Sequence, residues 1–280
     1  MIINADSAQI YRDLPVLSAM PSEVDRAAAE HRLYGVRDGA EPCSAAEWAV
    51  LAKAEIAAIH GDGRLPILVG GTGLYLRTLL DGIAPVPPID PQVRDEVRGA
   101  GVAENLARLV ALDPVSAARL SPSDTTRIAR ALEVVKSSGV PLGQWQARKA
   151  GGIGDTVALR ALILLPPRDW LYERCRRRFE AMVDTAREEV TALVARGLDP
   201  KLPVMRAIGL SELTALIAET LSRDAAIAAG TQATRNYAKR QYTWFAHQSP
   251  PKWPRFASAL DQDGAIDAAL GLLGAPTRSG

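Results

Sequence analysis

The chain of 280 residues has little of what several protein classes require. Its two cysteines, Cys43 and Cys175, lie far apart and fit neither a metal-ligand spacing nor a disulfide framework. Three scattered histidines, His31, His60 and His247, complete no zinc site and no Ser-His-Asp arrangement. No apolar run approaches the roughly 20 residues of a membrane span. Met1-Ile2-Ile3-Asn4-Ala5-Asp6 has neither the basic region nor the cleavage pattern of a secretory leader. The phosphate-binding pattern G-x-x-x-x-G-K-[ST] is absent. Net charge is only +1, so the whole chain is no polycation. What remains is a globular protein of a reducing compartment, expected in the cytoplasm. Its 48% apolar and 23% charged residues are enough for an ordinary core.

Of the 33 basic residues, 27 are Arg and 6 are Lys. A GC-rich genome accounts for that bias, and so does phosphate recognition by planar guanidinium forks. Distribution separates the two readings. Residues 168–255 hold 15 basic and 10 acidic side chains, against 18 and 22 elsewhere, so a polyanion is expected on the C-terminal third.

The pattern reads as α/β. Residues 1–5 form a short buried strand, 45–60 an amphipathic helix, 65–69 a second buried strand, and 74–80 a helix. A third strand is expected over 158–165. Four prolines in 84–92 make a stiff linker, and the stretch beyond it is helical only. Asp113-Pro114 reads as a helix start, and Gly139 closes a helix begun near Ser123. Residues 90–149 are therefore expected to be a small all-helical insertion in an α/β core built from 1–89 and 150–280. Long helices are expected over 169–196, 204–221 and 224–247.

Several residues are placed to do chemistry. Asp6 stands at the end of a parallel strand, where α/β sheets bind ligands; a helix N-cap is the competing reading. Gly70-Gly71-Thr72-Gly73, between strand and helix, suits close approach of a diphosphate, or serves shape alone. Arg174 and Arg178 share one helix face four residues apart and suit the same anion, or form a solvated face. Arg127 and Arg130 offer a further phosphate clamp, or form an ordinary exposed face. The last helix interleaves Arg235, Lys239 and Arg240 with Tyr242 and Trp244, a mixture that suits RNA phosphates and unstacked bases. Core packing is the alternative for Trp244. No protein metal site is expected.

In this order, the stretches Asn4–Arg12, His31–Leu33, Leu65–Tyr75, Arg127–Val134, Arg174–Met182, Met205–Gly209 and Ala238–Phe245 resemble the tRNA dimethylallyltransferases, or isopentenyl-diphosphate:tRNA transferases. The resemblance runs from residue 2 to about 248. It implies a P-loop-kinase-like parallel sheet flanked by helices, with the helical insertion gripping the anticodon stem-loop. It implies transfer of a dimethylallyl group from dimethylallyl diphosphate to the exocyclic amine of the adenosine 3′ to the anticodon, with Mg²⁺ bound alongside the diphosphate. Asp6 matches the family's base, and Thr72 and Arg178 match its diphosphate contacts, with Gly70, Gly71 and Arg174 beside them. The tRNA contacts carry over to Asp6, Ser7, Ala8 and Gln9, to Arg94, and to Thr126, Arg127, Ile128, Ala129 and Arg130. They continue at Arg206, Ala207, Ile208, Gly209, Leu210 and Ser211, and at Lys239, Arg240, Gln241, Tyr242, Thr243, Trp244, Phe245 and Ala246.

The departures run in one direction. The family places a strand, a P-loop and a helix ahead of the Asp6 strand, so Met1 reads as a misplaced start. Met20 and Ala246 stand where basic residues are usual, and the helix after Met182 lacks a family glycine. Two other readings stay open: a catalytically impaired tRNA-binding truncation, and a prenyltransferase of adenine nucleotides. A monomer is expected.

Overall fold

A computed structural model describes residues 1–274. The last six residues of the expected core, 275–280, lie outside the described residues. The chain divides into two compact units, one of Met1–Arg77 with the chain from Ala158 onward, the other of Thr78–Val157.

The first unit opens with β1 (Ile2–Asn4), α1 (Glu23–Ala28), β2 (His31–Arg32), α2 (Ala45–Gly61), β3 (Ile67–Val69) and α3 (Gly73–Asp81), the last running past its boundary. The three strands form a parallel sheet in the order β2-β1-β3, with Ile2 opposite His31 and Ile67, and Asn4 opposite Val69. Ser44 starts α2 with a capping box, accepting from the Glu47 amide while the Glu47 carboxylate accepts from its own. The buried face of α2 carries Trp48, Ala52, Ile56 and Ile59, and Trp48 stacks on Tyr75 with ring centroids 4.5 Å apart. The strand expected to be fully buried over 65–69 is not. Among the described residues β3 pairs with β1 alone, and Ile67 and Val69 remain 48% and 50% exposed.

The second unit holds α4 (Pro91–Gly99), α5 (Val102–Leu112), α6 (Pro114–Arg119), α7 (Thr125–Ser138) and α8 (Leu142–Gln146). Asp113 caps α6 through Ser116, and Gly139 ends α7 at φ 69°. Val97, Leu109, Ile128 and Leu132 are its core. Glu133 is 1% exposed in this core, with its carboxylate 2.8 Å from Arg98 and 3.9 Å from Arg130.

The chain returns to the first unit with β4 (Ile163–Leu164), α9 (Arg168–Thr185), α10 (Arg187–Ala195), α11 (Leu210–Ile217), α12 (Arg223–Gln248), β5 (Arg255–Phe256) and α13 (Ala265–Leu272). The strand expected over 158–165 shrinks to two residues, because only Ile163 and Leu164 find a ladder, with β5 in a separate parallel sheet. The helix expected over 169–196 breaks at Ala186 (φ −90°, ψ 2°), next to Thr185, whose hydroxyl bonds back to the Ala181 carbonyl and so bends the last turn. The helix expected over 204–221 becomes a 3₁₀ turn, Val204–Arg206, and then α11. Gly209 divides them at φ 90°. Packing of α9 on α12 builds the wall behind the site, with Phe179 seated directly over Gly230, where a Cβ would collide with its ring.

Candidate active site

β1 ends in a buried polar residue that aims the next one. The Asn4 side chain is fully buried: Oδ1 accepts from the Asp6 amide at 2.8 Å, and Nδ2 donates to the Asp6 carbonyl at 3.0 Å and to Leu33 at 3.1 Å. The Trp48 indole donates to the Asn4 carbonyl at 2.9 Å. With its backbone clamped at both ends, Asp6 turns its carboxylate to the Ala8 amide, 2.8 Å away. That is an Asx turn, not a helix cap. Burial raises the Asp6 pKa above the usual carboxylate value, while the Ala8 and Gln9 amides and the Arg178 guanidinium oppose the rise without cancelling it.

The glycine turn after β3 locks onto this strand end. Thr72 accepts from the Ser7 amide at 2.9 Å, donates to the Ser7 hydroxyl at 3.2 Å, and sends its own amide to the Ala5 carbonyl at 3.1 Å. A Cβ at Gly70 would strike the Ala5 backbone, one at Gly71 the Gln241 amide, and one at Gly73 the Trp244 ring. Gln241 donates to the Gly71 carbonyl at 3.1 Å. Close packing against the Ala5 backbone and the Trp244 ring therefore requires Gly70 and Gly73, whereas the Gln241 side chain over Gly71 can move.

Asp6, Ser7, Ala8 and Gln9 form one wall of a cleft of about 840 Å³. Arg174, Arg178 and Phe179 of α9, Arg206, Ala207 and Ile208, and Tyr237, Ala238 and Gln241 of α12 form the rest. In the arginine run, Arg176 is tied to Glu173 and Glu180 and Arg177 to Glu173, at 2.7–2.8 Å. Arg174 instead lies over the Trp170 ring at 4.9 Å, and Trp170 donates to the Asp261 carboxylate. Arg178 has no ion-pair partner among the described residues, and it acts on Asp6 through charge. Cys175 is buried between them, and burial pushes its thiol pKa up. Tyr237 lines the cleft beside Gln241, and burial raises its phenol pKa.

The expected tRNA residues fall into several settings. Lys239, Arg240 and Thr243 are exposed on α12, and Arg240 covers the Tyr237 ring at 5.5 Å. Tyr242 carries Arg168 at 4.9 Å. Trp244 is packed on Gly73, with Arg77 over its ring at 5.1 Å and Phe245 edge-on at 4.9 Å; Ala246 is half-buried. Gly209 and Leu210 are buried and Ser211 is exposed. In the second unit, Arg94, Thr126, Arg127 and Arg130 are exposed, Ala129 is half-buried, and Ile128 is core. Sequence reasoning passed over Asn4 and Tyr237. The available signal for Asn4 was a polar residue closing an otherwise apolar strand.

A family model described as IPP transferase matches residues 9–248. The tRNA dimethylallyltransferase of Novosphingobium aromaticivorans is 60% identical over 270 residues, which cover 96% of this chain and 95% of that protein. That of Sphingopyxis alaskensis is 56% identical over 272 residues, covering 97% and 89%. The crystal structure of the full-length tRNA isopentenylpyrophosphate transferase of Bacillus halodurans superposes with a TM-score of 0.65 at 30% identity, covering 98% of this chain and 88% of that one. A eukaryotic dimethylallyltransferase, crystallised acting on tRNA, shares the fold with a TM-score of 0.79 at 23% identity, covering 99% and 74%.

Proposed function

The chain belongs to the IPP transferase family, the tRNA dimethylallyltransferases, and is an enzyme that transfers a dimethylallyl group to tRNA; we propose that the reaction runs in the cleft between Asp6 and Arg178. The observation that carries this reading is a half-buried carboxylate at the end of a parallel strand, lining one cleft with a guanidinium that has no ion pair among the described residues.

The acceptor is the exocyclic amine of the adenosine 3′ to the anticodon. Its lone pair is delocalised into the ring, so it attacks well only as its proton leaves. The nitrogen bonds to the terminal allyl carbon, the carbon–oxygen bond to diphosphate breaks, and the amine proton passes to Asp6. The raised pKa strengthens Asp6 as a base for the departing amine proton. Charge gathers on the departing diphosphate, where Arg178 and Arg174 meet it. Reaching the cleft requires the base to leave its stack.

Among the described residues no group of three or more His, Cys, Asp or Glu side chains is placed to hold a metal ion. A Mg²⁺ ion held mainly by diphosphate oxygens and water fits this site, with the Ser7 hydroxyl on the cleft wall as the protein oxygen that would reach it. When bound it would neutralise charge on the leaving group. The exposed cations of α12 and the helical insertion, Arg94, Arg127 and Arg130 among them, take the phosphates of the anticodon stem-loop. A monomer working in the cytoplasm completes the reading. No helix among the described residues is long and apolar enough to cross a membrane.

The test is a transfer assay with unmodified tRNA, dimethylallyl diphosphate and Mg²⁺, read as prenylated adenosine by mass after digestion to nucleosides. Arg178→Ala is expected to raise KM for the allyl diphosphate at least about tenfold or to lower kcat comparably. Unchanged kinetics would remove Arg178 from the diphosphate site.

A further inference from the structure

We propose that Glu189, on α10, is a positioning residue for tRNA recognition: it anchors the loop that orients Gln9 in the cleft. The inference rests on reading Asp6–Gln9 as a tRNA-contacting turn. The two Glu189 carboxylate oxygens divide between consecutive backbone amides, Oε2 accepting from Val16 at 2.8 Å and Oε1 from Leu17 at 2.6 Å. A charged acceptor spanning two adjacent N–H groups fixes that peptide in position and orientation.

The carbonyls of the next two residues face Gln9. Its Nε2 donates to Ser18 at 2.9 Å and to Ala19 at 2.7 Å. Two carbonyl oxygens accept the NH₂ and repel the amide oxygen, so the chemistry itself sets the orientation of the Gln9 amide. Its Oε1 is the atom left to meet a ligand. Ala19 holds φ 57°, a conformation that a residue with a Cβ rarely adopts and that contacts elsewhere must maintain. Gln9, Leu17 and Ser18 all line the cleft, and the Ser18 hydroxyl is buried without a partner. A continuous path therefore links Glu189, through the Val16–Ala19 backbone, to the acceptor that Gln9 presents. Glu189 itself does not line the cleft.

The experiment is a double-mutant cycle on the full chain with Gln9→Ala, Glu189→Gln and the combination, assayed by steady-state transfer and direct tRNA binding. Glu189→Gln keeps the shape but turns an NH₂ towards one of the two amides. It is expected to raise KM for tRNA about tenfold while kcat and KM for dimethylallyl diphosphate stay within about twofold. The double variant should be no worse than Gln9→Ala alone. If Gln9→Ala leaves KM for tRNA unchanged, the tRNA-contact reading of the turn fails, and this proposal with it. If Gln9→Ala raises KM but Glu189→Gln does not, or the two factors multiply, the turn reading stands and the role of Glu189 is overturned. Should Glu189→Gln fail to fold, Glu189→Asp, which keeps the charge but is too short to span both amides, takes its place in the cycle.

Discussion

The raised pKa of Asp6 bears on stability and on catalysis with opposite sign. A carboxyl whose folded pKa lies above its unfolded value of about 3.9 favours folding below that value. The contribution disappears as pH rises through the folded pKa, and above it the ionised side chain opposes folding. Asp6→Asn is therefore expected to gain melting temperature relative to the parent as pH rises, checked by calorimetry across a pH series; a gain that does not grow with pH would contradict the burial argument. The base must be ionised, so kcat/KM in the parent enzyme should climb with pH through a value above the ordinary Asp range. Asp6 was legible in the sequence because the end of a parallel strand is where α/β sheets bind ligands and because it matches the family's base. Asn4, which holds the Asp6 backbone through two side-chain hydrogen bonds, was passed over, because the third bond, to the Leu33 carbonyl, joins segments that meet only in the folded chain.

The turn Gly70–Gly73 joins the two halves of the site through packing. Gly73→Ala drives a methyl into Trp244, and the expected loss is about 1–3 kcal/mol of stability, with partial recovery when Trp244→Leu makes room. Denaturant unfolding of the three variants checks it, and a neutral Gly73→Ala would show that the ring moves freely. In the helical unit, Arg98→Ala strands the buried Glu133 carboxylate with only Arg130 at 3.9 Å. That variant is expected to lose about 1–3 kcal/mol, more than Glu133→Gln, which removes the buried charge. Thermal melts of the two variants decide the order. Two helix ends were readable because Asp113 and Gly139 act within a few residues of themselves. Strand extents were not: pairing partners lie far along the chain, and residues 158–162 read as strand yet find no ladder.

The molecule's charge is close to balanced, yet its expected partner is a polyanion, so binding must depend on where the cations lie. The affinity for tRNA is expected to fall as salt rises, and Lys239→Ala should reduce the slope of log Kd against log salt by about 0.7–1. A slope unchanged by that substitution would take Lys239 off the phosphate path. The order of motifs made the family legible from residue 2 to about 248, while the exposed edge of β3 and the short second sheet emerged only in the folded chain. In this mechanism Asp6 meets the tRNA only at the reacting base and takes the amine proton, while the rest of the turn and the surrounding cations hold the tRNA. The most direct test is to compare the parent with Asp6→Asn, measuring tRNA Kd and single-turnover formation of prenylated adenosine on the same preparations. The mechanism predicts an affinity held within about twofold and a transfer rate lowered by about 10²–10⁴-fold. Parent-like transfer by Asp6→Asn would contradict it.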